Sequence, residues 1–219
     1  MKLIAESIPS VNDVSVLTEG KGDNKRLYIS GPFLQAEKVN RNNRVYPMSV
    51  MEKAVSDYQE KYINEKRALG ELNHPAEPIV NPERAAIMTT ELKRNGIYFE
   101  GKAKVLSTPM GKIVENLLND GVKIGVSSRG LGSLKPMREG CNEVQGDFML
   151  TTAADVVFDP SAQTAFVEGV MESVEWICES GIFRQVDIEE QQQRIHKARK
   201  AELHEAKLTM FNEFMRSLV

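Results

Sequence analysis

Cysteine and histidine are scarce in this sequence, and long apolar runs are missing altogether. The 219 residues include two cysteines and three histidines. Two isolated cysteines exclude a disulfide framework and a cysteine-rich zinc cluster. No segment approaches the roughly 18 apolar residues of a membrane-spanning helix, and the opening MKLIAESIPS lacks the apolar core of a signal peptide. We therefore expect a soluble intracellular protein with reduced thiols and no membrane partner.

A strong charge of either sign is also missing, because 28 basic residues nearly balance 31 acidic ones and the net charge is −3. This balance gives no basis for non-specific binding to nucleic acid, so we expect no nucleic acid partner. The length permits one domain with a substantial core and a tail.

The patterns that are present predict an α+β domain. Alternating apolar residues indicate strands in RLYISGPFLQ, VKIGVSS and DFMLTTAADVVF, and Asn95-Gly96 indicates a hairpin over residues 86–106. Helices are predicted from Pro47 and from Pro109. Their apolar stripes are Met51, Ala54, Val55, Tyr58 and Tyr62 in the first helix and Met110, Ile113, Val114, Leu117 and Leu118 in the second. This order of elements predicts a mostly antiparallel, barrel-like β core with flanking helices.

Composition divides the chain into three parts. Residues 1–25 are polar and turn-rich, and we expect them to be mobile apart from a short strand near residues 14–17. Residues 26–183 form the folded domain. Residues 184–219 contain no glycine or proline and end in an amphipathic stripe of Leu208, Phe211, Phe214, Met215 and Leu218. This last part is predicted to be a helical tail that docks on a partner or on another copy of the chain.

The stretch GVSSRGLGS at residues 125–133 places two serines between glycines. A glycine-rich strand end accounts for this pattern without any chemistry. In the alternative interpretation Ser127 is a nucleophile, and Gly125 and Gly130 keep the approach to a substrate carbonyl clear. The stretch does not match the G-x-S-x-G elbow of α/β-hydrolases.

A serine nucleophile needs a base, and histidine is the commonest one. His196 and His204 lie in the polar tail, where surface positions are expected. His74 lies in GELNHP, where Pro75 favours an extended conformation, so His74 is the candidate base and an ordinary loop histidine is the alternative. A metal site is not supported there, because Glu71 precedes His74 but no second histidine follows at ligand spacing.

A third group should orient the imidazole. Asp155 lies in the apolar stretch TTAADVVF, and a buried carboxylate needs a partner because an unpaired one is costly. Pairing of Asp155 with an arginine or with backbone amides explains the residue equally well. Asp159, before Pro160, is more simply a turn residue.

Four blocks of the sequence together resemble the prohead core proteases of T-even-type bacteriophages. LYISGPFLQAEKVNRNNRVYP resembles the N-terminal strand of that family and the asparagine- and arginine-rich loop after it. ALGELNHP resembles its histidine segment, GVSSRGLGSL its serine segment, and ADVVFDPSA a third block downstream. The blocks occur in the order of the family over roughly residues 27–166.

The resemblance implies a serine endopeptidase inside the phage procapsid in the host cytoplasm, where it degrades scaffolding core proteins and trims the major capsid protein. It implies His74 as general base and Ser127 as nucleophile. Asp155 as third member follows from alignment with an acidic position in related procapsid proteases. A barrel-like β fold related to the herpesvirus assemblins, a homo-oligomer, and the absence of any metal or cofactor are also implied.

The family is expected to cleave after glutamate in the pattern Leu/Ile-x-Glu. Ile4-Ala5-Glu6 fits this pattern and Ser7 follows. Residues 1–25 are therefore interpreted as a propeptide, whose first six residues plug the active site until self-cleavage after Glu6. Because the pattern also ends at Glu19, Glu65, Glu71, Glu115, Glu179, Glu190 and Glu205, accessibility has to select among the matches.

A pocket selective for glutamate needs a positive charge. Arg41, Arg44 and Arg129 are the candidates, although a solvated loop or a subunit contact is the preferred interpretation of Arg41 and Arg44. The rival to the whole protease interpretation is a non-catalytic scaffold or tube-like assembly protein that shares the fold. A thiol protease is disfavoured, because Cys178 in EWICES lacks a glycine-rich context.

Overall fold

The computed structural model describes residues 2–7, 15–19, 26–75, 77–137, 140–157, 174–179 and 182–187. Its strands are β1 (Lys2–Ser7), β2 (Ser15–Glu19), β3 (Arg26–Gln35), β4 (Arg44–Val45), β5 (Leu69–Glu71), β6 (Ala85–Asn95), β7 (Tyr98–Val105), β8 (Gly125–Gly132), β9 (Leu134–Pro136), β10 (Asn142–Val144), β11 (Met149–Val157), β12 (Val174–Glu179) and β13 (Ile182–Asp187). Its helices are α1 (Met48–Tyr58), which continues into a π-helical turn at Gln59–Ile63, and α2 (Pro109–Asn119). A 3₁₀ turn covers Pro82–Arg84.

Two sheets form the framework of the domain. The larger has the strand order β2-β3-β7-β6-β5, and the smaller has the order β1-β8-β11, with the twin-serine strand in the centre. A further small sheet has the order β4-β10-β9, and β12 pairs with β13. These pairs are antiparallel except for β4 and β10. The predicted α+β class with mostly antiparallel sheets is confirmed.

The predicted barrel is wrong, because within the described ranges the strands form separate sheets and none closes on itself. The two main sheets meet where β5 approaches β11, and a parallel bridge joins Leu72 to Val156. A side chain at Gly70 would lie 1.9 Å from the carbonyl oxygen of Ala154. Glycine therefore lets β5 pack directly against β11 without a continuous hydrogen-bonded ladder between the sheets.

The predicted hairpin and both predicted helices are confirmed. β6 and β7 are joined at Asn95-Gly96, and Gly96 has the left-handed φ of +62° that this turn favours. In α2, the Thr108 hydroxyl caps the helix by accepting from the Gly111 N–H at 3.2 Å. The predicted buried face of α2 is too wide, since Ile113 is 43% exposed. No helix in the described ranges is long and apolar enough to cross a membrane.

One hydrophobic core cluster joins α1 to both main sheets. The apolar stripe predicted for the first helix supplies four of its side chains, which are Met51, Ala54, Val55 and Tyr58. Ile29, Phe33, Phe99 and Ile87 contribute from the larger sheet, and Ile4, Val126 and Val156 from the smaller one. Because both sheets share this core, β8 and β11 are held at a defined position relative to β5.

The prediction of a helical tail from residue 184 is wrong at its start. Residues 184–187 belong to β13, which pairs antiparallel with β12, and both segments are rich in the β-branched and aromatic residues that favour strands. The rest of the tail, with His196 and His204, lies outside the described residues, as does Asp159.

The N-terminal segment contains more regular structure than its composition indicates. β2 confirms the strand expected near residues 14–17. The mobility expected for the rest of the segment is contradicted for residues 2–7, because they form β1 on the edge of β8.

Candidate active site

Strand β8 carries the twin serines through the centre of the smaller sheet. All eight of its residues are buried. Gly130 does not keep a substrate path open as expected, because a Cβ there would lie 2.4 Å from the Phe148 ring. The glycine instead makes room for this aromatic side chain. Strand β8 pairs with β1 on one side and with β11 on the other.

Asp155 and Ser127 are opposite each other across the β11–β8 pair. The Asp155 carboxylate is fully buried and holds the His74 imidazole through a contact of 3.0 Å between Oδ2 and Nδ1. His74 is itself almost completely buried. The structure thus places a histidine and an aspartate that lie 81 residues apart in the sequence in direct contact beside the twin serines.

The backbone before His74 is shaped to reach this aspartate. The Asn73 N–H donates to the Val156 carbonyl at 2.9 Å, and Asn73 adopts a left-handed φ of +69°. Asparagine tolerates this conformation better than most residues. The turn aims the His74 ring at β11, and Nε2 is buried without a hydrogen-bond partner among the described residues.

Arg129 is the second partner of Asp155. Its Nε lies 2.6 Å from Oδ2 and a terminal nitrogen lies 3.1 Å from Oδ1. Burial alone would raise the pKa of Asp155, but the Arg129 charge and the His74 contact hold that pKa below its usual value. Asp155 therefore has all the partners considered for it, an arginine, a backbone amide and the His74 imidazole, and its role as third catalytic residue stays a prediction.

Strand β1 places a peptide carbonyl on the serines. β1 runs antiparallel to β8 with Glu6 opposite Ser128 and Ser7 opposite Ser127. The Ser127 hydroxyl donates to the Glu6 carbonyl oxygen at 3.0 Å, and the Ser128 hydroxyl lies 3.5 Å from the same oxygen. The Glu6–Ser7 peptide bond therefore lies at the candidate nucleophile.

The Glu6 side chain enters a polar pocket, which we call the carboxylate pocket and which consists of Asn42, Arg44 and Tyr46. The contacts to the carboxylate are 2.7 Å from Asn42 Nδ2, 3.0 Å from Arg44 and 3.1 Å from the Tyr46 hydroxyl. Burial and the nearby Glu6 charge raise the pKa of Tyr46 well above its usual value, so Tyr46 remains a donor. The pocket thus offers a buried cation and two neutral donors to one carboxylate.

The asparagine-rich loop builds this pocket. Asn40 Oδ1 accepts from the backbone N–H groups of Asn42 and Arg44 at 3.0 Å each, and Asn43 takes a left-handed φ of +53°. The preferred interpretation of Arg44 as a solvated or subunit-contact residue is wrong, since Arg44 is buried. Arg41 is exposed, as expected for a loop residue.

Sequence reasoning did not identify Asn42 and Tyr46 as site residues. Their signal is present in the block NRNNRVYP, where several hydrogen-bonding side chains follow one another immediately after an apolar strand. In the part of the chain that the structure describes, no group of three or more His, Cys, Asp or Glu side chains forms a candidate metal site.

The chain is similar to known proteins in both sequence and structure. The model of the family described as prohead core protein serine protease matches residues 3–175. The prohead core protein protease of Enterobacteria phage T4 is 46% identical over 146 residues, which cover 64% of this chain and 68% of that protein. The solved structure of the bacteriophage T4 capsid assembly protease matches with a TM-score of 0.66 and 38% identity, over 72% of this chain and 98% of that one.

Proposed function

Because the chain belongs to the prohead core protein serine protease family, we propose that it is a procapsid maturation endopeptidase in which Ser127 is the nucleophile, His74 the general base and Asp155 the residue that orients His74. One observation carries the proposal. The Ser127 hydroxyl touches a peptide carbonyl, and Asp155, which contacts His74, is paired with Ser127 across β11 and β8.

The proposed reaction is acyl transfer through a serine ester. With Nδ1–H donated to Asp155, the Nε2 atom of His74 is the basic nitrogen, and it takes the Ser127 proton as Oγ attacks the scissile carbonyl. His74 then protonates the leaving amine, and water, activated by the same nitrogen, hydrolyses the ester. In the present arrangement the Ser127 hydroxyl donates to Glu6, so attack requires its rotation toward His74, as is common before the transition state.

The carboxylate pocket supports selectivity for glutamate before the scissile bond. Arg44 and Glu6 are mostly buried, with side-chain exposures of 7% and 13%. A neutral side chain in place of glutamate would lose the ion pair with Arg44 in a partly dehydrated site. We therefore assign cleavage after glutamate to this pocket.

The strand pairing also explains a pattern of Leu/Ile-x-Glu. β1 pairs with β8 in continuous register from Lys2 to Ser7, and side chains two positions apart lie on the same face of a strand. Ile4 therefore lies on the face of Glu6, and its side chain is buried in the core cluster. A substrate that adds to the β8 edge in this register presents an apolar residue and a glutamate to two adjacent pockets.

Self-cleavage after Glu6 follows from the same register. Residues 2–6 occupy the edge of β8, so they block entry of a substrate until the Glu6–Ser7 bond is cut and the short product leaves. Among the other pattern matches, Glu71 is fully buried and Glu115 lies within α2. Glu19 and Glu65 are exposed, so the pairing of β1 with β8, and not accessibility alone, favours Glu6. Residues 1–6 are then the inhibitory part of the N-terminal segment 1–25, which the sequence interpretation takes as a propeptide.

The substrates are proposed to be the scaffolding core proteins and the major capsid protein, cleaved inside the procapsid. Assembly as a homo-oligomer and removal of the tail at Glu190 or Glu205 belong to the same proposal. The rival, a non-catalytic assembly protein, gives no reason for a serine hydroxyl to contact a peptide carbonyl next to a buried aspartate that holds a histidine.

Mass spectrometry of the purified protein and digestion of a Leu-x-Glu peptide test this assignment. Ser127→Ala and His74→Ala are each expected to keep residues 1–6 attached and to reduce peptide cleavage by a factor of about 10³ or more. His196→Ala is the matched histidine control and is expected to be processed normally. Normal processing by Ser127→Ala or His74→Ala would refute the proposed roles.

A further inference from the structure

Asp155 belongs to a buried charge cluster that the proposed mechanism does not use in full. The cluster consists of Glu71, Arg129 and Asp155, and all three side chains are fully inaccessible to solvent. One terminal nitrogen of Arg129 contacts Glu71 Oε2 at 3.0 Å and Asp155 Oδ1 at 3.1 Å. The Glu71 N–H also donates to Asp155 Oδ1 at 2.8 Å, so Glu71 contacts both other members.

Arg129 creates a difficulty for a histidine that has to accept a proton. A serine protease stabilises its imidazolium with the charge of a buried carboxylate. Here Arg129 binds the same carboxylate side by side with His74. A pair made of Asp155 and Arg129 alone has no net charge, so a protonated His74 would be a buried cation without compensation.

Glu71 changes this charge balance. With Glu71 ionised, the cluster carries one net negative charge. When His74 takes the Ser127 proton, the cluster and His74 together become neutral. The contacts of Glu71 fit the ionised form, because Oε1 accepts from the Asn81 N–H at 2.5 Å and Oε2 accepts from Arg129. Burial and the Asp155 charge raise the pKa of Glu71 above its usual value, and these two donors partly oppose the rise.

We propose that Glu71 is a positioning residue for the reaction. Arg129 neutralises the charge of Asp155, and Glu71 restores one net negative charge to the buried cluster. This charge allows His74 to hold the Ser127 proton. This inference rests on the proposed role of His74 as general base. In the proposal Arg129 fixes the geometry of Asp155 through two hydrogen bonds, and Glu71 prevents this fixation from weakening the base.

Other charged and titratable groups around the cluster are few in the described part of the chain. The Arg84 charge, in the 3₁₀ turn, acts on Glu71 and stabilises its ionised form. Burial raises the pKa of Tyr58 in α1, and the charges of Asp155 and Arg129 act on it with opposite signs, so Tyr58 is neutral at physiological pH. Arg129 also donates to the backbone carbonyl of Glu77, which adds no charge.

The test is an NMR titration of the His74 imidazole in the full chain that carries Ser127→Ala, so that self-cleavage cannot occur. Glu71→Gln keeps the shape of the side chain and an acceptor for the Asn81 N–H, but it removes one negative charge. The titration midpoint of His74 is expected to fall by about one pH unit or more, the usual effect of a neighbouring charge. Glu83→Gln, at an exposed glutamate in the same region, is the matched control and should shift the midpoint by less than about 0.3 units.

Two Arg129 variants separate a charge role from a packing role. Arg129→Gln alone leaves two carboxylates, so the His74 midpoint should rise by about one unit. The double variant Glu71→Gln with Arg129→Gln restores a single negative charge on Asp155, and its midpoint should return toward that of the parent. If Glu71 only supported the packing, the His74 midpoint of the double variant would differ from that of the parent by at least as much as the midpoint of Glu71→Gln does. That result would overturn the proposal.

The outcome does not depend on peptidase activity. If Glu71→Gln leaves the midpoint unchanged, the inference fails even when Ser127 and His74 prove essential for cleavage. If Glu71→Gln does not fold, Arg129→Gln decides, because a fall or no change in its midpoint contradicts the charge argument. In processed enzyme without Ser127→Ala, the acid limb of the pH–rate profile should move to lower pH in Glu71→Gln by the same amount.

Discussion

Replacement of Arg44 by glutamine tests how the enzyme recognises the residue before the scissile bond. Arg44 lies 3.0 Å from the Glu6 carboxylate, and the two side chains are 7% and 13% exposed. Loss of one partner from such a mostly buried charged hydrogen bond typically costs about 2–4 kcal/mol. Since about 1.4 kcal/mol corresponds to a factor of ten, Arg44→Gln should reduce kcat/KM for glutamate substrates by roughly 30- to 700-fold.

The assay compares two peptides that differ only in glutamate or glutamine before the scissile bond. With processed wild-type enzyme the glutamate peptide should be strongly preferred. In Arg44→Gln the glutamate peptide should lose most of its rate and the glutamine peptide little, so that the preference nearly disappears. The four rate constants form a double-mutant cycle whose coupling energy reports the Arg44–carboxylate interaction.

Arg41→Gln is the control for this experiment, because Arg41 lies in the same loop but is exposed. Its effect on either peptide should be within about twofold. An equal loss of rate on both peptides in Arg44→Gln would refute the reasoning, since it would show that Arg44 supports the loop and does not read the substrate. Processing of the precursor should follow the same rule, and Glu6→Gln should slow the release of residues 1–6.

Three further predictions follow from the fold and the site. Gly70→Ala places a methyl group 1.9 Å from the Ala154 carbonyl oxygen, so urea titration should show a loss of unfolding free energy of about 2–4 kcal/mol. A loss below about 0.5 kcal/mol would contradict the close packing of β5 on β11. The folded-state pKa of Asp155 is lowered from 3.8, so its ionised carboxylate contributes stability that is complete above that value and disappears as the pH falls through the lowered pKa. Asp155→Asn should therefore flatten the acid dependence of the unfolding free energy between about pH 2 and pH 5, and an unchanged slope would argue against the ion pair. Ile4→Asp should slow self-cleavage at least tenfold in a mass-spectrometric time course, because it buries a carboxylate at an apolar position. The control Lys2→Gln changes an exposed position of the same strand and should be processed at the parental rate.

Local elements of the fold could be predicted because their signals lie within a few residues of one another. The Asn95-Gly96 turn needs only a left-handed backbone between two alternating runs, and the cap of α2 needs only Thr108 and its own first turn. The predictions of a barrel and of a helical tail from residue 184 are wrong, because local patterns do not decide which strands pair. Whether the sheet closes into a barrel depends on how β5 meets β11. Whether residues 184–187 form a helix or a strand depends on the pairing of β12 with β13.

The candidate site shows the same division. Ser127, His74 and Asp155 were identifiable by residue type, by the apolar context of the aspartate and by resemblance to a protease family. The double pairing of Asp155 with His74 and Arg129 was not, because each partner alone satisfies a buried carboxylate and the sequence contains no information on which approaches closer. Asn42, in the pocket for the Glu6 carboxylate, was likewise hidden in a loop whose polarity suits solvent equally well.

Sequence alone determined which chemistry was possible in this protein. Acyl transfer requires a nucleophile, a base and a group that orients the base. The sequence offers a serine pair in a glycine-rich strand, a histidine in a proline-bounded turn and an aspartate in an apolar strand. Tertiary structure alone decided that the Glu6 carbonyl meets a hydroxyl 121 residues away, through pairing of β1 with β8. Contacts of this kind arise from the way in which sheets share a core, and no local pattern encodes them, because their free energy appears only when both strands are already in place.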